Sequence, residues 1–126
     1  MEKLNMSINK ILLVDDTPVH LDALKAAVAD IGAKVTAVTT GEEAVSKAKS
    51  EKPDIILMDI VMDGLDGYGA CREIVQDEET KDIPVIFVST KNQRADRMWA
   101  EKQGARNLIT KPFTTEQIVE EINKYQ

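Results

Sequence analysis

Short apolar runs alternate with longer amphipathic stretches five times along the chain, and that alternation predicts five strands and five helices. Ile, Leu and Val dominate the candidate strands at 10–14, 34–38, 54–58, 84–88 and 107–109. Between the first two, Leu21, Leu24, Val28 and Ile31 recur at steps of three and four, the period of one helical face. That helix opens with Thr17 as a candidate cap and Pro18 in its first turn, and it ends before Gly32. Further helices are expected over 42–50, 67–76, 93–103 and 115–124. In the third, Tyr68, Cys71, Ile74 and Val75 form the inner face; in the fifth, Ile118, Ile122 and Tyr125 form one stripe behind a cap at Thr114 or Thr115.

Strict alternation of strand and helix implies right-handed crossovers and a parallel sheet covered by helices on both faces. The strand runs are almost uninterrupted in their apolar character, as buried parallel strands are. The expectation is therefore an α/β, doubly wound five-stranded parallel sheet of order 2-1-3-4-5. In that order strands 1 and 3 lie side by side at the switch point, and sites form beyond the carboxyl ends of the strands.

The candidate chemistry sits at those ends. Asp15 and Asp16 close the run Ile11-Leu12-Leu13-Val14, Asp59 closes Ile55-Ile56-Leu57-Met58, Ser89 ends the fourth strand and Lys111 follows Leu108-Ile109-Thr110. Neighbouring strands 1 and 3 would bring Asp15, Asp16 and Asp59 together. Carboxylates so close repel one another unless one is protonated or a cation joins them. Mg²⁺ suits such a site: it takes carboxylate, carbonyl and water oxygens, and it is commonly shared with phosphate. A backbone carbonyl at Val61 would add a further ligand. Asp59 would then be placed to attack phosphorus, Lys111 to supply a point charge to one phosphoryl oxygen, and Ser89 to donate to another.

Composition narrows the surroundings. At 126 residues the chain fits one domain, expected over 10–126 after a loose lead-in at 1–9. Its apolar runs fall far short of the roughly 20 residues that cross a bilayer, and the first residues lack a secretory apolar segment. Cys71 is the one cysteine, so no internal disulfide forms, in keeping with a cytoplasmic setting. A net charge of −6 disfavours nucleic acid as a partner and favours proteins or cations.

The segments ILLVDDTP at 11–18, PDIILMDIVMDGLDG at 53–67, IPVIFVST at 83–90 and GARNLITKPF at 104–113 together resemble the receiver domain of bacterial two-component response regulators. The resemblance covers nearly the whole chain and implies the flavodoxin/CheY-like fold. It implies that Asp59 accepts phosphate from a histidine kinase, that Asp16 and Asp59 bind Mg²⁺ with Asp15 assisting, and that Ser89 and Lys111 sense the phosphoryl group. It further implies a cis bond before Pro112, and a protein effector docking on the face of helix 4, strand 5 and helix 5. Such a domain catalyses its own phosphotransfer and dephosphorylation without being a turnover enzyme. Because the fifth helix is the last expected element, the similarity is to single-domain CheY-like regulators. The stretch from Ser89 to Phe113 is similar, more narrowly, to the PilH-like group acting in chemosensory control of pili and twitching motility.

The chain also departs from the family pattern. Asp63 stands where a proline is common and Thr90 where Ala or Gly is common. Val61 and Lys91 occupy positions that tune the acyl-phosphate lifetime. Leu108 replaces an aromatic residue that swings inward in many relatives, so a rotamer switch of that type is absent. His20, alone without a second ligand at metal-binding spacing, reads as a surface or cap-proximal residue. Trp99 divides evenly between interface anchor and packing on its own helix. Gly64 and Gly67 read as turn residues, since they lack the order of a phosphate-binding loop. The alternatives are a phosphate sink for a shared kinase, a Mg²⁺-dependent phosphatase with an aspartyl nucleophile, and a flavodoxin-like FMN carrier. Val61 lacks the general acid that the phosphatase needs, and the acidic first loop is hostile to FMN phosphate.

Overall fold

Alternate residues of the buried strands enter two separate cores, one on each side of a single sheet. In the computed structural model, which describes residues 8–126, the strands are β1 (Lys10–Val14), β2 (Lys34–Val38), β3 (Ile55–Met58), β4 (Val85–Ser89) and β5 (Asn107–Thr110). All pair in parallel, in the order β2-β1-β3-β4-β5, as expected from the sequence. The helices are α1 (Pro18–Val28), α2 (Gly41–Glu51), α3 (Gly67–Gln76), α4 (Arg94–Lys102) and α5 (Thr115–Asn123).

Successive strand residues point to opposite faces. Leu12, Val14, Ile56, Met58, Val85 and Phe87 enter the core with α2, α3 and α4, where Ala44, Ala48, Ala70, Cys71, Ile74 and Ala100 meet them. Ile11, Leu13, Ile55, Leu57, Ile86 and Val88 enter the other, with Leu21, Leu24 and Val28 of α1 and Ile118 and Ile122 of α5. Each fully buried aliphatic side chain contributes about 1.5–3 kcal/mol, so the two layers, rather than any surface ion pair, hold the sheet ends in place.

Element borders follow the available hydrogen bonds. Thr40 Oγ1 accepts from Glu43 N, so α2 starts one residue before the expected 42. Asp66 caps α3 through Gly69 N, and Thr114, rather than Thr115, caps α5 in a reciprocal pair with Gln117. Thr17 occupies the position before α1 but makes no side-chain cap; its hydroxyl donates to Asp16 Oδ1 instead. The first helix continues through a 3-10 turn, Ala29–Ile31, to Gly32. Strand β4 is displaced by one residue from the expected 84–88, because Pro84 has no N–H and offers only its carbonyl, to Ile56 N, while Ser89 O still accepts from Lys111 N.

The loose lead-in expected at 1–9 lies mostly outside the described residues. Ile8, within that span, is 1% exposed and packs in the α1–α5 core, and Asp54 Oδ2 accepts the N–H groups of Asn9 and Lys10. Among the described residues no helix is long and apolar enough to cross a membrane.

Candidate phosphoryl-transfer and metal site

The ladders do not stop where the strands stop, and that overrun builds the site. Val14 is registered against Met58, and just beyond this pair Asp59 N donates to Val14 O while Asp15 N donates to Val38 O. On the other side Ser89 is registered with Thr110, and Lys111 N donates to Ser89 O at 2.9 Å. Asp15, Asp59, Ser89 and Lys111 thus sit at the ends of the adjacent strands β1, β3, β4 and β5, tied there by backbone bonds to neighbouring strands. The three carboxylates expected to converge, Asp15, Asp16 and Asp59, lie together in the structure.

Asp15, Asp16 and Asp59 each present an oxygen within 4.8 Å of the others. Asp15 and Asp59 are buried and Asp16 is exposed, so the cluster opens to solvent on one side. Lys111 Nζ lies 2.7 Å from Asp15 Oδ2 and 3.6 Å from Asp59 Oδ2, with only 7% of its side chain exposed. Asp15 Oδ1 accepts from Thr17 N, so this carboxylate both ties down the chain entering α1 and receives the ammonium. Asp59 Oδ1 accepts from Ile60 N at 2.8 Å.

Burial pushes the Asp59 carboxyl above the usual carboxylate range. Lys111 opposes that rise, Asp15 adds to it by like-charge repulsion, and hydrogen bonds from Ile60 N–H and the Ser89 hydroxyl oppose it. One ammonium facing three carboxylates leaves an excess of negative charge. A hard divalent cation with oxygen preference fits that donor set, which holds neither sulfur nor a ring nitrogen among its three members.

Ser89 is fully buried, and its Oγ accepts from Lys91 N in the loop that leads to α4. Val61 follows Asp59 by two residues, with its side chain 54% exposed. The loop after it is shaped by two glycines. Gly64 has φ 73°, in the left-handed region that a side chain disfavours. At Gly67 a Cβ would run into Asp59 O and lie 2.7 Å from Ile60 Cα, so only glycine lets α3 begin directly against the end of β3. The bond between Lys111 and Pro112 is cis, as the resemblance implies.

One residue of the site was not legible as such. His20, expected at the surface or near a cap, has Nδ1 2.8 Å from Lys111 Nζ and 3.9 Å from Asp15 Oδ2. No spacing in the sequence marked it, because its contacts are with Asp15, which precedes α1, and with Lys111, 91 positions away. Leu108 is 4% exposed and packs beside Phe87 and Ala100. Trp99 stands edge-on to Tyr68 of α3 with centroids 6.4 Å apart and is 47% exposed, so its ring packs on a neighbouring helix and leaves part of its surface open.

The order of strands and the acids and lysine at their ends define a class, and the comparison with known families agrees: the response regulator receiver domain matches residues 11–123, and the chain belongs to that family, the phosphoacceptor modules of two-component signalling. Among individual proteins, it is 45% identical over 114 residues to protein PilH of Pseudomonas aeruginosa, covering 90% of this chain and 94% of PilH. Among solved structures, the receiver domain of the sensor histidine kinase PA1611 from Pseudomonas aeruginosa superposes with a TM-score of 0.86 at 32% identity, covering 93% of this chain and 96% of that one. That structure holds a magnesium ion coordinated in its active-site cleft. Chemotaxis protein CheY4 of Vibrio cholerae shares the fold, with a TM-score of 0.87 at 23% identity over 94% of this chain and 99% of its own.

Proposed function

We propose that the chain accepts a phosphoryl group on Asp59 from the phosphohistidine of a histidine kinase, in a Mg²⁺-dependent reaction in the cytoplasm, and signals by docking a protein on its α4, β5 and α5 face. The observation that carries this reading is the gathering of Asp15, Asp16, Asp59 and Lys111, far apart in sequence, into one pocket at the sheet's switch point. Asp15, Asp16, Asp59 and the Val61 carbonyl are the groups that would hold the metal. When bound, the ion offsets the negative charge that a phosphoryl group adds to the acids.

The residues have separate tasks. An Asp59 carboxylate oxygen attacks phosphorus; the new P–O bond forms as the P–N bond to the donor imidazole breaks, and the nitrogen keeps the electron pair. The Ile60 N–H holds the other side of the carboxylate, so the nucleophile enters the reaction already oriented. Lys111 and the Ser89 hydroxyl donate to phosphoryl oxygens, where buried surroundings strengthen each contact. Attack of water on the phosphorus then breaks the Asp59 O–P bond and releases inorganic phosphate and the free carboxylate, so the domain supports its own dephosphorylation without turnover of an external substrate. Val61, apolar at the position where an aspartyl phosphatase places a general acid, argues against a phosphatase.

Connections from the pocket to the docking face are short. Ser89 Oγ holds Lys91 N ahead of α4, and Arg97 on α4 donates to Leu108 O at 3.0 Å and Thr110 Oγ1 at 3.4 Å, adjoining Lys111. Drawing Ser89 and Lys111 toward a phosphoryl group therefore pulls on both ends of the α4–β5 contact. A difference of about 1–3 kcal/mol between two states is enough for useful coupling. The similarity to PilH favours a chemosensory system of the twitching-motility kind as the setting.

Phosphotransfer from candidate kinases, run beside Asp59→Asn and beside a chelated control, tests the reading. The wild type should take up label at one equivalent at most, and both the variant and the chelated sample should not. Equal rate and stoichiometry in the variant would refute the nucleophile.

A further inference from the structure

His20 belongs to α1, yet its imidazole reaches across to the ammonium on which the pocket depends. Among the described residues Lys111 Nζ has three polar partners: Asp15 Oδ2 at 2.7 Å, His20 Nδ1 at 2.8 Å and Asp59 Oδ2 at 3.6 Å. A lysine ammonium carries three N–H donors and no acceptor, so the imidazole nitrogen facing it is the acceptor, and the ring proton sits on Nε2. Two donors are therefore spent on partners from the α1 side. The tetrahedral nitrogen then has one direction left, and the remaining neighbour in the pocket is Asp59.

A four-methylene side chain held at its tip by one carboxylate alone retains rotation about that contact. A second acceptor from a different direction removes it. His20 is suited to this because helix α1 fixes its backbone while its ring, 43% exposed, borders a cavity of about 310 Å³ shared with Ala23, Thr90, Pro112 and Phe113. The walls of that cavity are mostly apolar, so the imidazole nitrogen is the polar group aimed at the lysine from this side.

We propose that His20 is a positioning residue for phosphoryl transfer: by accepting from Lys111 through Nδ1 it aims the free N–H of the ammonium at the oxygens gathered on Asp59. The inference rests on Asp59 being the phosphoacceptor. It concerns how well the lysine is aimed, and it requires no contact between His20 and the metal or the phosphoryl group.

Two variants separate aim from bulk. His20→Phe keeps the ring and denies water the space, but offers no acceptor; His20→Asn places an amide oxygen near the Nδ1 position. The first measurement is made on metal-free, nitrogen-labelled protein, where the sheltered Lys111 ammonium, identified by its loss in Lys111→Ala, gives its own proton–nitrogen resonance. The signal should persist in His20→Asn and shift or broaden away in His20→Phe. The second is the rate of Mg²⁺-dependent self-phosphorylation by acetyl phosphate. It should fall roughly tenfold in His20→Phe, the loss of one hydrogen bond to a charged group, and stay within about twofold of wild type in His20→Asn, with Mg²⁺ affinity unchanged in both. Wild-type rates in His20→Phe, or equal losses in the two variants, overturn the proposal while leaving Asp59 as acceptor. A wild-type protein that takes no label from acetyl phosphate overturns the acceptor reading, and this inference with it.

Discussion

Replacing Asp59 by asparagine should stabilise the metal-free protein, because the residue placed for chemistry is costly to the fold. At an effective dielectric of about 20, the attraction of Lys111 at 3.6 Å amounts to about 4.6 kcal/mol. Repulsion from buried Asp15, taken at the 4.8 Å limit of the cluster, is about 3.5 kcal/mol, and exposed Asp16 adds about 1 kcal/mol under near-aqueous screening. The lysine thus roughly balances the two acids, and the burial of the Asp59 charge decides the sign. This agrees with burial as the foremost cause of its raised pKa. Asparagine keeps the shape and an acceptor for Ile60 N–H, and it removes the buried charge. The expected gain is about 1–2 kcal/mol, or about 4–8 °C in Tm for a domain of this size.

The sign with pH follows from the same shift. A carboxyl whose folded pKa lies above its unfolded value binds more protons in the native state, so the wild type loses stability as pH rises from the unfolded value through the folded one. The advantage of Asp59→Asn should therefore grow as pH rises from the unfolded value through the folded one and vanish below about pH 4, where both chains are uncharged at this position. Mg²⁺ should reverse the order: at a hundred times its Kd a ligand adds about 2.7 kcal/mol, and the variant has lost one of the carboxylates proposed to hold the ion. Thermal melts of both proteins in chelator and in Mg²⁺, at neutral and acidic pH, measure all three effects. An Asp59→Asn protein that melts at or below the wild type in chelator, or that gains as much from Mg²⁺, would refute the charge argument.

The close approach of α3 to the end of β3 makes Gly67→Ala a second probe: the added Cβ meets Asp59 O and Ile60 Cα, so a loss of about 1–3 kcal/mol is expected in denaturant unfolding, with reduced Mg²⁺ affinity because Asp59 must shift. Cys71, whose thiol is pushed up to about 12 by burial and which donates to Gln103 O, carries about one thiolate in 10⁵ at neutral pH, so its reaction with an aromatic disulfide should follow global unfolding rather than reagent concentration. Truncation of Arg97 to Ala removes the donors to Leu108 O and Thr110 Oγ1; about 1 kcal/mol of stability should be lost, and amide exchange should rise first in β5.

Long-range order was legible wherever one residue type met one period. β1 and β2 have the expected bounds, and the strand order follows from alternation and the handedness of crossovers. Asp15, Asp16, Asp59, Ser89 and Lys111 were legible because all five sit at ends of apolar runs. What escaped depends on where a side chain turns after its backbone is placed. Thr17 was a reasonable cap from its type, yet the carboxylate of Asp15 takes Thr17 N and Asp16 draws its hydroxyl away. His20 lacked a partner within ligand spacing in the sequence, since its partner, Lys111, follows β5 and is separated from it by 91 positions. Ile8 lies beyond the first strand's pairing, and it is held by burial in the α1–α5 core and by its N–H, which donates to Gln126 Oε1.

One departure from the family pattern, Leu108, lies in β5 itself. Leu108 fills core space next to Phe87 and Ala100, and its short branched side chain has no ring to exchange between inner and outer positions. The aromatic contacts of this region are instead made from α3 and α4, where Tyr68 stands edge-on to Phe87 at 5.5 Å and to Trp99 at 6.4 Å. The same tyrosine donates to Asp96 O, so one residue of α3 touches both the core strand β4 and the exposed aromatic of α4. Meanwhile Arg97 grips the backbone carbonyl of Leu108 rather than its side chain. In a domain that works as proposed, the change in the pocket is therefore carried to α4 by main-chain groups, Lys91 N on Ser89 and Arg97 on Leu108 O, and read out where Trp99 is already half-exposed. Coupling of this kind shifts a helix as a body, and it needs no side chain to cross a barrier inside the packed core.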